Sequence, residues 1–177
     1  GLNEKDKILR ILNTSITFML IASLIIITFQ SSLWNLYSYI YDQNPIIENL
    51  TKDYYSISIL GIAPQLIIVS SSSWFLGIKQ PKKIFQIWSV LGISHILLIY
   101  IFTFYYDLKL IGIAYSTVLS QWLTLVFLVF QVGKILKDLK IKFFIGFLTK
   151  LEISFLGKSF INLFVRTFML QSIYIVG

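Results

Sequence analysis

Charged residues in this chain gather into short clusters, and the stretches between them are long and apolar. Between Arg10 and Asp42 lie 31 residues without Asp, Glu, Lys or Arg. Three further runs cover 25 residues from Tyr54 to Ile78, 23 from Ile84 to Tyr106 and 24 from Leu110 to Gly133. A helix of about 20 apolar residues, rising about 1.5 Å per residue, crosses the hydrocarbon layer of a bilayer. The pattern therefore predicts an all-α polytopic membrane protein with four full spans, at about 11–33, 51–78, 82–106 and 109–136.

Polar punctuation refines these spans. Gln30, Ser31 and Ser32 predict that the first span ends near Leu33 and that Trp34 to Tyr41 forms a short interfacial helix. Asp42 to Pro45 reads as a turn, because a proline pushes the residue before it out of the helical region. Thr51, with Asp53 after it, is the expected N-cap of the second span. The third starts just after Pro81 and the fourth near Lys109 or Leu110. Lys137 to Lys142 reads as a water-facing helical extension, and Phe143 to Phe147 as a segment lying on the membrane surface. From Ser154 the chain turns apolar again after Arg166, as the start of a fifth span. The chain begins at Gly1 inside a charged stretch and stops at Gly177 inside an apolar run, and the expectation is an internal piece of a longer protein.

Composition agrees: 56% of residues are hydrophobic, 13% are charged, and the mean hydropathy is +0.80. A soluble domain carries about 25% charge. Aromatics crowd the ends of the runs, with Trp34, Tyr37, Tyr39 and Tyr41 closing the first and Tyr105 and Tyr106 the third. Trp and Tyr favour the headgroup level, where the ring is half-buried and its polar atom stays wet.

The net charge of +7 is distributed by loop. Glu4 to Arg10, Lys79 to Lys83 and Lys134 to Lys150 are basic or mixed; the loops around Asp42 to Asp53 and Asp107 to Lys109 are acidic or balanced. That alternation is what the positive-inside rule requires, with the basic loops in the cytoplasm. It favours topology over nucleic-acid binding, which would want base-stacking aromatics beside the lysines. No nucleic-acid partner is expected, and the bilayer itself is the first partner.

The chain holds one His, no Cys and no pair of acids inside a span, so metal ligation, thiol chemistry and paired-carboxylate catalysis all lack their parts. No enzyme activity and no metal or organic cofactor is expected. The candidates are polar residues within the spans. Pro64, with Gly61 before it and Gln65 after it, deletes a helix hydrogen bond and kinks its span, either as a bending point or as a static kink. His95 sits mid-span and is the one side chain there that titrates near neutral pH; an intramembrane ionisable group is a functional hypothesis, with structural hydrogen bonding as the alternative. Thr117 and Gln121, one turn apart, can meet a solute. Asn162 and Arg166, also one turn apart, lead into the last segment, where snorkelling of Arg166 to the surface is the simpler account. Ser70 to Ser73 and the small residues Gly112, Ala114, Ser116 and Ser120 read most simply as close helix packing.

The order of these pieces resembles a known family. A basic entry and a first span lead to YYSISILGIAPQLIIVSSSSWFLGIKQPKKIFQI; LIGIAYSTVLSQW, a lysine-rich linker and INLFVRTFMLQ follow. This is similar to the middle of a multidrug and toxic compound extrusion (MATE) transporter, in the branch named for DNA-damage-inducible protein F. The resemblance implies spans three to six of a twelve-helix, two-lobe protein. Residues 1–136 would be the remainder of the first six-helix lobe, 137–153 the cytoplasmic basic linker, and 154–177 the truncated start of the second lobe. It implies secondary-active efflux of organic or cationic amphipathic compounds by alternating access, driven by a sodium or proton gradient. The expected location is a bacterial inner (plasma) membrane, and the expected partners are small organic solutes and the missing remainder of the transporter. Relatives tend to carry an Asn and, one turn later, an Asp in the fifth span, near a Thr of the sixth. Here those positions read His95, Ile99 and Thr117, so only the Thr matches, and His95 is the expected substitute as a polar or titrating group. A lipid-linked oligosaccharide flippase of the same superfamily and a non-transporting membrane scaffold or fragment stay open as alternatives.

Overall fold

The computed structural model describes residues 2–41 and 44–138, which lie in one compact unit, Gly1–Phe144. They form six α-helices and two short irregular helical turns, with no strand among the described residues. Helix α1 spans Leu2–Thr28 and α2 Gln30–Ile40; α3 spans Pro45–Ser58, a 3₁₀ turn covers Ile59–Gly61, and α4 spans Ile62–Gly77. Helix α5 spans Pro81–Ile99 and ends in a π-turn over Tyr100–Tyr105, and α6 spans Lys109–Asp138.

Four helical stretches are long and apolar enough to cross a membrane: Ile8–Thr28, Pro45–Gly77, Pro81–Tyr105 and Lys109–Lys137. Leu24, Phe85, Ile96 and Phe104 are among the many large apolar side chains left uncovered. Water tolerates little contiguous apolar surface of this kind, whereas a bilayer covers it. The chain is a multi-pass membrane protein.

Span ends differ from the expected ones where local chemistry overrides the charge pattern. The first helix begins at Leu2 rather than near Ile11, because the charged residues before Ile11 are good helix formers and extend it beyond the apolar core. Its bend falls at Phe29, not near Leu33, and the helical ladder runs through it: Phe29 N–H donates to Ile25 O at 3.0 Å and Leu33 N–H to Phe29 O at 3.0 Å. Ser31 and Ser32 therefore belong to α2. The second span starts at Pro45, six residues before Thr51. Its cap is Asn44, whose side chain accepts from Ile46 N–H at 3.0 Å, with Pro45 in the first helical position. Thr51 instead bonds back to Ile47 O within the helix. The linker at 137–153 lies outside the described residues apart from Lys137 and Asp138, which continue α6, and the segment at 154–177 lies wholly outside them.

Helix α1 packs on α4, α5 on α6, and α4 touches both α5 and α6. The apolar core joins Leu9 and Leu12 of α1, Ile67, Ile68, Trp74 and Phe75 of α4, Ile87 of α5, and Leu128, Val132 and Leu136 of α6. These all lie toward the end that carries Lys79, Lys82, Lys83, Lys134 and Lys137. Trp74 ties α4 to α1 by donating from Nε1 to Ile8 O at 3.0 Å. The turn to α5 is equally tight: Gln80 N–H reaches Phe75 O at 2.8 Å and Lys79 N–H reaches Leu76 O at 3.0 Å. Lys79, at φ 57°, takes the left-handed position that closes such a helix end.

Away from the basic end, small residues replace the apolar core. Gly112, Ser116, Ser120 and Thr124 form a buried stripe with one residue per turn of α6. The three hydroxyls bond back to Gly112, Thr117 and Ser120 carbonyls of their own helix. They are satisfied internally and serve close packing. Of the serine run, Ser71 and Ser72 are buried and Ser73 is exposed, as expected for four consecutive residues around one helix. At Gly112 an added Cβ would lie 3.1 Å from the carbonyl carbon and oxygen of Phe102, in the backbone of the π-turn. A leucine there forces backbone to move, so Gly112→Leu is expected to lower stability by about 1–3 kcal/mol. Gly133 has nothing within 4 Å of that position, and Gly133→Leu is expected to be neutral or stabilising. Thermal unfolding of the two variants in detergent measures the difference.

Candidate functional site

The site is built on the break in the second span. Pro64 has no N–H to give to the carbonyl of Leu60, four residues earlier. The backbone tightens into the 3₁₀ turn just before it, with Ile62 N–H bonded to Ile59 O. The freed carbonyl finds a donor on another helix: Trp122 Nε1 of α6 donates to Leu60 O at 3.2 Å. Pro64 and Gly61 are both buried.

One residue before Trp122, Gln121 lays its carboxamide on Gly61. A Cβ at Gly61 would clash with Gln121 Oε1, lie 3.2 Å from the amide carbon, and lie 3.4 Å from Val118 Cγ2. The missing side chain at Gly61 is what lets the carboxamide rest there; a Cβ would displace it. Gln121 Oε1 is buried with no hydrogen-bond partner, and so is Oε1 of Gln65, one turn beyond Gly61. Ser58 Oγ, three residues before Gly61, is a third such oxygen. Buried polar atoms are nearly always paired, so a group of oxygens without partners around one helix break marks a place suited to a donor or cation.

One turn back along α6, Thr117 meets α5. His95 Nε2 lies 3.1 Å from Thr117 Oγ1, and Thr117 Oγ1 donates to Ile113 O at 2.9 Å. The hydroxyl has a single proton, which the Ile113 contact uses. The imidazole is therefore the donor at Nε2, which leaves Nδ1 as the acceptor of its neutral form. Thr117 is eight residues into α6, about 12 Å along the axis from Lys109, so the pair stands near mid-membrane. Ile99, where the resemblance calls for an acid, is the last residue of α5 before the π-turn, and the described spans place no carboxylate beside the imidazole.

Pro64, Gln65, His95, Thr117 and Gln121 thus fall on facing parts of three helical stretches, linked through Gly61–Gln121 and His95–Thr117. Asn162 and Arg166 lie outside the described residues. Sequence reasoning missed Trp122. The signal was available, since a proline inside a span implies an orphan carbonyl and an indole N–H is a donor only. Among the described residues there is no group of three or more His, Cys, Asp or Glu able to hold a metal. No protein-family model matches the chain, and no curated protein and no solved structure matches it either.

Removing the indole donor leaves Leu60 O without a partner in lipid. Trp122→Phe, which keeps an aromatic ring, is expected to cost about 1–3 kcal/mol. Pro64→Ala restores an N–H that can reach Leu60 O, so the cost of Trp122→Phe should shrink in that background. A double-mutant cycle of unfolding in detergent reads the coupling directly.

Proposed function

We propose that this chain is part of a secondary-active efflux transporter of the MATE type, moving organic or cationic amphipathic compounds against their gradient with proton or sodium coupling. The observation that carries the reading is the polar line from the helix break to α5: Gly61 under Gln121, then Thr117 on His95, one turn apart on α6. Transporters place substrate and ion sites near the bilayer midplane, where a discontinuous helix supplies unpaired backbone and its neighbours supply polar side chains. The middles of the described spans hold no Lys or Arg, so no fixed positive charge repels a cationic solute.

The geometry supports a division of roles. Pro64 and Gly61 shape the break, Trp122 satisfies it, and Gln65 and Gln121 offer neutral oxygens to a cation or a donor. His95 is the group able to take up a proton, at Nδ1, with Thr117 holding its Nε2 side. Sodium would draw on the neutral oxygens, and proton coupling on the imidazole.

Cells expressing the full open reading frame should accumulate less of a cationic dye than vector controls, and collapse of the proton or sodium gradient should abolish the difference. His95→Ala should cut efflux several-fold and flatten its dependence on pH. His95→Gln keeps an amide donor for Thr117 and should retain more transport, with the same flat profile. Dye accumulation equal to the vector control would overturn the transport reading. An unchanged pH profile in His95→Ala would remove His95 from coupling.

A further inference from the structure

At the basic end of the bundle, α5 and α6 are joined by a second polar network. Lys83 Nζ donates to Gln131 Oε1 at 2.6 Å, and Gln131 Nε2 donates to Gln86 Oε1 at 3.2 Å. The amide orientations follow from the chemistry: an ammonium is donor only, so the atom facing it is oxygen, which turns the NH₂ of Gln131 toward Gln86. Gln131 is only 6% exposed. A lysine at a span end normally snorkels its head toward water. Lys83 does the opposite and turns its head inward, onto a buried carboxamide. It has two further N–H bonds and no partner for them among the described residues, and the NH₂ of Gln86 is also uncommitted.

Further lysines stand nearby. Lys82 precedes Lys83, and Lys134 stands three residues beyond Gln131, on the same face of α6 and with its ammonium 4.4 Å from the Phe130 ring centre. The carboxylates whose side chains are described, Glu48, Asp53 and Asp107, all lie toward the other end of the bundle. The Lys83 ammonium is partly buried, and a charge drawn out of water favours an anionic partner. Lys83 is the third residue of α5, at the headgroup level, where the anion always at hand is phosphate. On α6, exposed Val126 and Phe130 offer apolar surface to acyl chains.

We propose that the α5–α6 groove at Lys83, Gln86, Gln131 and Lys134 is a binding site for the phosphate headgroup of an anionic phospholipid. Lys83 and Gln86 donate to the phosphate oxygens, Gln131 holds Lys83 in place, and Lys134 supplies a second positive charge. Basic pockets between transmembrane helices on the cytoplasmic side are suited to such headgroups. The site rests on the membrane reading and not on the transport one, and its test needs no transport.

Native mass spectrometry of the full chain in detergent, titrated with phosphatidylglycerol or phosphatidylcholine of matched acyl chains, tests it. The wild type should retain phosphatidylglycerol in preference to phosphatidylcholine, Lys83→Gln should weaken that binding about tenfold, and Lys83→Arg should keep most of it. Lys52→Gln, on α3 in the acidic loop region, should bind like the wild type. Should Lys83→Gln fail to fold, the pair Lys82→Gln and Lys134→Gln, combined in one variant, should show the same loss. Equal retention of the two lipids, or unchanged binding in a folded Lys83→Gln or in the paired variant, overturns the proposal. So does inorganic phosphate at millimolar concentration competing the lipid off fully, because the site would then read a free anion rather than a headgroup.

Discussion

A backbone carbonyl inside a bilayer has no water to turn to, and the placing of one such group organises this bundle. Pro64 takes the helical partner away from Leu60 O, and the replacement comes from Trp122 on α6. That contact has consequences on both sides of the indole. With α6 in the rotation that makes this contact, Gln121 falls on Gly61, and a side chain at position 61 would displace its carboxamide. The same rotation carries Thr117, one turn back, to His95. The helix break and the candidate site thus meet on one rotation of α6.

The two ends of the bundle are held by different means. Toward the basic end, Leu9, Leu12, Ile68, Phe75, Ile87 and Leu128 interlock as in a soluble core, with Trp74 pinning α4 to α1. In lipid such apolar contacts gain little from expelling water, because the tails are as apolar as the side chains; shape and dispersion carry them. Around Gly112 to Thr124 the helices instead approach through small residues whose hydroxyls are spent on their own backbone. Polar side chains that are not spent in this way, such as Gln65 and Gln121, stand out for that reason.

Much of the architecture was legible from charge-free run lengths, because a bilayer imposes one length on every span. All three prolines mark structure: Pro45 and Pro81 open helices, and Pro64 interrupts one. What misled was using charge to place helix ends. Charges exclude a segment from hydrocarbon but not from a helix, so α1 reaches back to Leu2 and the second span to Pro45, where Asn44 rather than Thr51 supplies the cap. Candidate site residues were legible as polar interruptions of apolar runs. The nearness of His95 to Thr117 was implied by the family resemblance; the contact of Gln121 with Gly61 was not legible, since it depends on how α6 is rotated against the helix break, where Trp122 meets Leu60, 62 residues apart in the chain. The Lys83–Gln131 contact was hidden for the same reason, behind the sound expectation that a lysine near a span end faces water.

The absence of an acid near His95 bears on how coupling can work under the transport reading. With a carboxylate in place, a site holds its proton or sodium ion by opposite charge. Here the charge-free runs leave the imidazole facing Thr117, a neutral group, so loading a proton creates a positive charge rather than cancelling a negative one. Nε2 is engaged by Thr117, and the incoming proton is confined to Nδ1. An uncompensated charge favours whichever arrangement of the helices lets water reach that nitrogen. It also disfavours a cationic solute lodged one turn away at Gln121, through simple repulsion in a medium of low dielectric. Under the transport reading, proton and cation would then exclude each other by repulsion alone, without a shared ligand.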